Sequence, residues 1–246
     1  TLSQEEVDKE RGVVIEEWRG RLGASSRVRD AQAPVLFYKS RYADRSPIGK
    51  PDILRTAPVK RLRDFYDTWY RPERVAIVIV GDVKADEIEA GVRAAFGPLQ
   101  ARAAAAQPPD GAVPLHTEKL VSVIADPEVT SSSVQILHKR AAEPDDTVGD
   151  YRRSIVASLF TRMLNERFTE LARKPDAKFL SAGGGGGSLS PTVDSFGLSA
   201  RVQDGGIADG LTALRIEARR VLQYGFAASE LDRAKLSMRS SYERAF

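Results

Sequence analysis

The sequence contains no cysteine, which removes disulfides, thiolate-bound zinc, iron–sulfur clusters and thiol nucleophiles from its chemistry. Histidine is nearly as scarce, with only His116 and His138 in 246 residues. No Ser-His-Asp constellation can be argued from so few, and a metal site built wholly from this chain must rely on carboxylates. Long apolar runs are missing as well. The longest candidate, Val75 to Val80, is strand-sized, far short of the ~20 residues of a membrane-spanning helix. Charge of one sign does not dominate: 37 basic and 34 acidic residues leave a net +3, so nucleic acid is not demanded as a partner. From Thr1 onward there is no basic segment followed by an apolar core, the pattern of a secretory leader.

What is present describes a globular α+β chain, with 42% hydrophobic and 29% charged residues. Ser3 and Glu6 form a capping-box signature for a helix over residues 4–22, ended by Gly23. A second helix runs from about residue 25 to Pro34. The Pro- and Gly-bearing stretch 37–58 reads as an extended loop, and helices are expected over 59–70 and 86–96. The six residues Val75–Val80, closed by Gly81, read as a buried strand. Residues 100–114 form a linker, Ala-rich and then Gln-Pro-Pro-Asp-Gly, between a first domain at 1–99 and a second at 115–246. Beyond it, strands are expected over 120–125 and 134–138, a long helix over 150–173, strands over 179–182 and 196–202, and closing helices over 207–223 and 228–246. Gly183–Gly187 reads as a mobile hairpin or loop, with a substrate-contacting loop as the lesser alternative. No Gly-Lys-Ser/Thr follows it, so it is not a phosphate cradle. The arginines of the long helix read as a solvated or interdomain face, and His116 and His138 as plain surface histidines.

The first helix carries the most informative pattern. At about 100° per residue, Val7, Val13, Val14 and Trp18 make an apolar stripe, and Glu10 and Glu17 fall within it about 20° apart, while Glu16 points among the polar residues. Two carboxylates are thereby expected to face inward. A buried carboxylate needs a cation, a metal or dense hydrogen bonding, so a structural salt bridge to Arg11 or another arginine and a metal site are both open readings.

An internal echo bears on the choice. The segment from Ser3 to Arg11 matches that from Ala227 to Lys235 at an offset of 224, with Glu6 on Glu230, Val14 on Met238 and Trp18 on Tyr242. Glu10 instead meets Ala234, and Glu17 meets Ser241. The copy keeps the stripe and lacks the two carboxylates, as one working site and one structural twin would.

At Glu10-Arg11-Gly12-Val13-Val14-Ile15-Glu16-Glu17 the sequence resembles the M16 (pitrilysin/insulinase-like) zinc metallopeptidases, whose HxxEH motif is followed downstream by E-R-x-x-x-x-x-E. The resemblance continues through Ser46–Pro51, Phe65–Pro72, Val78–Val83 and Leu164–Phe168, and is nearest to the large bacterial zinc proteases of that family. It implies LuxS/MPP-like metallohydrolase-type domains in two partial copies, each a mainly antiparallel sheet packed against helices. It also implies Zn²⁺ with Glu17 as a metal ligand, Glu10 as a supporting catalytic carboxylate, and peptide hydrolysis by a zinc-bound water. The implied partners are peptide substrates and the missing inactive half or a partner subunit, and the implied location is the bacterial periplasm or envelope. The departure from the pattern is large. HxxEH lies about 75 residues before the position of Glu17 in the family, and only 16 residues precede it here. The expectation is therefore a fragment cut at both ends and inactive as supplied, without bound zinc, with an exposed sheet edge or a homodimer covering it. The alternative is a non-catalytic scaffolding subunit that shapes a chamber for a partner chain.

Overall fold

The computed structural model describes residues 2–102, 106–109 and 111–245. Part of the expected linker, residues 103–105 and 110, lies outside them. The chain forms two compact units, one of residues 1–22 and 45–110, the other of residues 23–44 and 111–246. Residues 23–44 thus group with the later unit, although they precede the linker in sequence.

The first unit is helical. Helix α1 (Gln4–Gly20) begins on a complete capping box: the Glu6 backbone N–H donates to the Ser3 hydroxyl, and the Ser3 N–H donates to the Glu6 carboxylate. The stretch expected to be extended carries the short helix α3 (Pro51–Thr56), whose Pro51 suits a first helical position. Helices α4 (Val59–Trp69) and α5 (Ala85–Phe96) follow. Residues Val75–Val80 are not a buried strand. They have no ladder partners among the described residues, and Val78 and Val80 are 81% and 91% exposed. The tract has strand composition, but a strand exists only when a neighbour accepts and donates its backbone hydrogen bonds. Val121 and Val123, in the other expected strand at 120–125, are likewise unpaired and exposed.

The second unit is built on a three-stranded antiparallel sheet, β1 (Ser132–Ala141), β2 (Ser181–Ser190) and β3 (Val193–Val202), in the order β1-β3-β2. Its other elements are α2 (Ala24–Leu36), α6 (Val148–Ala172), α7 (Ile207–Tyr224) and α8 (Ala228–Ala245). Helix α2 runs past Pro34, which sits in its last turn. In β3 the alternation Leu198, Ala200, Val202 points one face into the core, where α6 supplies Leu164 and Phe168, α7 supplies Leu214, and Phe179 closes the cluster. Phe168 and Leu214 are fully buried; each such side chain contributes about 1.5–3 kcal/mol of transfer free energy.

The glycine run is strand, not loop. Gly183–Gly187 pairs residue by residue with Ser199–Ser195 inside β2. Gly184 faces α6, where an added Cβ would lie 2.7 Å from Leu198 Cδ2 and 3.0 Å from Leu164 Cδ2. Asn165 grips this strand: its Nδ2 donates to the Gly184 carbonyl at 3.0 Å, and its Oδ1 accepts from the Gly184 N–H at 2.7 Å. The side-chain amide of α6 thereby substitutes for a neighbouring peptide on the outer edge of β2.

Candidate functional site

On α1 the face that packs is defined by Val7, Arg11, Val14 and Trp18, spaced i, i+4, i+7 and i+11. Val7 is buried, Val14 and Trp18 are half-buried, and the Arg11 guanidinium donates to the backbone carbonyls of Leu54 and Ala57 at the end of α3. Those carbonyls are left over at a helix C-terminus, and a cation there meets both the unpaired acceptors and the negative end of the dipole. Arg11 also takes Asp8; with Gln4 as the larger influence, these contacts hold the Asp8 carboxyl below its ordinary pKa.

The expectation that Glu10 and Glu17 face inward is overturned. Both are exposed, and Glu17 is ion-paired along the helix to Arg21. The stripe is centred between Val7 and Trp18, leaving the two glutamates on its flank, and Val13, farther out on the same side, is exposed too. Counting only apolar residues broadened the stripe; admitting Arg11 as a packing residue would have narrowed it.

Zinc does not fit these residues as they stand. Among the described residues no group of three or more His, Cys, Asp or Glu side chains could hold a metal ion, and Glu17 contributes one exposed carboxylate paired with an arginine. No hydrolytic step can be built from them. His138 is exposed, as expected; His116 is half-buried and packs edge-on against Tyr38 at 5.5 Å.

The helix that echoes α1 in sequence behaves differently. In α8, Ala234, the counterpart of Glu10, is 1% exposed. The likeness extends to the helix starts: Glu230 accepts from the Ala227 N–H at 2.7 Å, as Glu6 accepts from the Ser3 N–H at 3.2 Å. Helix α8 is fastened by Arg167 of α6. Its guanidinium meets both oxygens of Glu230 at 2.6 and 2.8 Å, Glu217 of α7 at 3.2 Å and the Gly225 carbonyl at 3.0 Å, and lies 4.6 Å from the Phe226 ring centre. Arg167, followed by desolvation acting the other way and the Ala227 N–H, brings the Glu230 carboxyl down to about 2. The segment Leu164–Phe168 was legible as a motif, whereas the clasp that Arg167 makes with Glu217 and Glu230 was not, because 50 and 63 residues separate the partners.

With this geometry in hand, the comparisons are direct. The family model described as the Peptidase M16 inactive domain matches residues 57–238, and the chain belongs to the M16 peptidase family. It is 31% identical over 201 residues to "Zinc protease PQQL-like" of Arabidopsis thaliana, covering 81% of this chain and 21% of that protein. It is 29% identical over 238 residues to "Probable zinc protease PqqL" of Escherichia coli K12, covering 96% of this chain and 25% of that one. The crystal structure of the first half of the periplasmic protease PqqL from E. coli superposes with a TM-score of 0.88 at 26% identity, covering all of this chain and 52% of that one. The chain therefore spans about a quarter or less of the curated relatives it matches. Its mixed α+β architecture is that of these structures.

Proposed function

We propose that the chain is part of a zinc-dependent endopeptidase that hydrolyses peptide bonds in peptides or small unfolded proteins, and that by itself it is inactive and does not retain zinc. The feature that carries this reading is the sequence echo between α1 and α8, whose copy lacks the two carboxylates. The position of Glu10 corresponds to Ala234, which α8 buries, so the Glu10 flank of α1 is a face this fold can cover. In the intact protein a segment bearing HxxEH covers that flank, Glu17 completes the metal site and Glu10 supports it. Residues 1–99 and 115–246 are then parts of two homologous domains joined by the linker at 100–114. Partners are peptide substrates and an inactive half or a second subunit, and the location is the periplasm or envelope, as in the E. coli protein. Among the described residues no helix is long and apolar enough to cross a membrane.

The second reading is a non-catalytic scaffolding subunit, supported by the inactive-domain family match. The gene upstream of Thr1 separates the two: an intact HxxEH favours the enzyme, a degenerate one the scaffold. Metal analysis of the intact protein then tests the site. Near-stoichiometric zinc, lost together with peptidase activity in Glu17→Ala, is the expected result; zinc content unchanged by that substitution refutes the assignment. For the isolated chain we expect no peptidase activity and equal, weak zinc binding with and without Glu17→Ala, and tight stoichiometric zinc there would be fatal to the reading.

A further inference from the structure

Lys139 lies near the end of β1, on the sheet face opposite α6 and α7 by the alternation that puts Gln135 and Leu137 there. Its half-buried ammonium reaches the Val35 carbonyl and His116 Nε2, each at 3.4 Å. The far side of the imidazole fixes its tautomer. Nδ1 is 2.8 Å from the Glu118 carbonyl oxygen, which can only accept, so Nδ1 carries the hydrogen and Nε2 of the neutral ring presents a lone pair to the lysine. Tyr38 packs edge-on against the ring and holds its plane. Burial pushes the Lys139 amine below its ordinary pKa, and no carboxylate among the described residues opposes that effect. The exposed lysines Lys60 and Lys84 differ on every count, being ion-paired to Asp64 and Glu87.

We propose that Lys139 is a site of acylation, its amine freed by His116 and modified by a small activated acyl donor, a thioester or an acyl phosphate. The ammonium gives one proton to Nε2. The amine lone pair forms the new C–N bond, and the acyl C–S or C–O bond breaks. The departing thiolate or phosphate takes the second amine proton, and the imidazolium returns the first to water. The product amide is uncharged and keeps a single N–H, so it cannot hold both the Val35 carbonyl and His116. Acylation thereby loosens the tie of β1 to the end of α2.

The chain is incubated separately with acetyl-coenzyme A and with acetyl phosphate, and each lysine's acetylation is followed by peptide mass spectrometry. Lys139 is expected to react faster than Lys60 and Lys84 with at least one donor, and the donor that works identifies the source. His116→Gln, with the circular dichroism spectrum unchanged, is expected to slow Lys139 roughly tenfold; a fully positioned base supplies ~100-fold or more, and a 3.4 Å contact is a long one. Should that variant not fold, the ratio of Lys139 to Lys60 and Lys84 in the unaltered chain decides alone. Equal rates at the three lysines, or a folded His116→Gln chain that reacts as fast as the parent, would overturn the proposal.

Discussion

The two units use similar residues to different ends. In the C-terminal unit, Leu164, Phe168, Leu198, Val202 and Leu214 are buried in one cluster between a sheet and two helices. In the N-terminal unit Val7 is the sole buried apolar residue among those described, while Phe65, Ile77, Val78 and Val80 are all exposed. Helix α4 shows the difference well: its apolar face is formed, with Tyr66 stacked on Tyr70 at 5.0 Å, yet Phe65 remains 58% exposed. Amphipathic segments acquire stability from what they are packed against, not from being amphipathic.

Matched substitutions, one in each unit, probe this contrast, and chemical unfolding followed by circular dichroism reads them. Both tryptophans, Trp18 and Trp69, lie in the N-terminal unit, so their fluorescence reports that unit separately. The largest effect is expected at phenylalanine. Phe168→Ala should cost about 3–5 kcal/mol, whereas Phe65→Ala should stay within about 0.5 kcal/mol. Similar losses for the two would mean that α4 is covered in solution.

Arginine comes next. Arg167→Ala leaves Glu217, whose side chain is 3% exposed, without its main cation and should cost about 3 kcal/mol, while Arg21→Ala removes only the exposed partner of Glu17 and should cost about 0–1 kcal/mol. Acid sharpens the same contrast. The Glu230 carboxyl falls from its ordinary 4.5 to about 2 on folding, so its contribution is present above 4.5 and is lost as pH drops from there through about 2. Arg167→Ala should flatten the stability–pH profile in that window, and an unchanged profile would show that the clasp is absent in solution.

A third comparison lies within β2. Gly184→Ala should cost about 1–3 kcal/mol because its Cβ enters the space of Leu198 and Leu164, while Gly185→Ala meets nothing within 4 Å and should be near neutral. Equal effects would place the run in a loop after all. The smallest effect is expected from Val78→Ser, within about 0.5 kcal/mol for a residue 81% exposed.

Much of the architecture was legible because helices are local. The capping box that starts α1, the long α6 and the closing pair α7 and α8 follow from spacing and end signals within a few residues. The strands were legible only where a partner existed: β3 was expected over 196–202 and has its ladder, but Val75–Val80 has equally strong strand composition and no ladder among the described residues. The glycine run misled for a related reason, since glycine signals a turn locally and close packing of a helix on a sheet tertiarily. Glu10 and Glu17 were recognisable as a pattern on one side of a helix, but their exposure was not, because Arg11 took the packing position that apolar counting had overlooked.

By itself, then, the order of residues determined the helices, the echo between α1 and α8 and the family, because each rests on periodicity or on motifs within a short window. Which apolar tracts became core, and which charged groups met across 50 residues or more, was decided only by the tertiary structure. Burial and ion pairing depend on what lies opposite a side chain, and no local window of sequence contains that information.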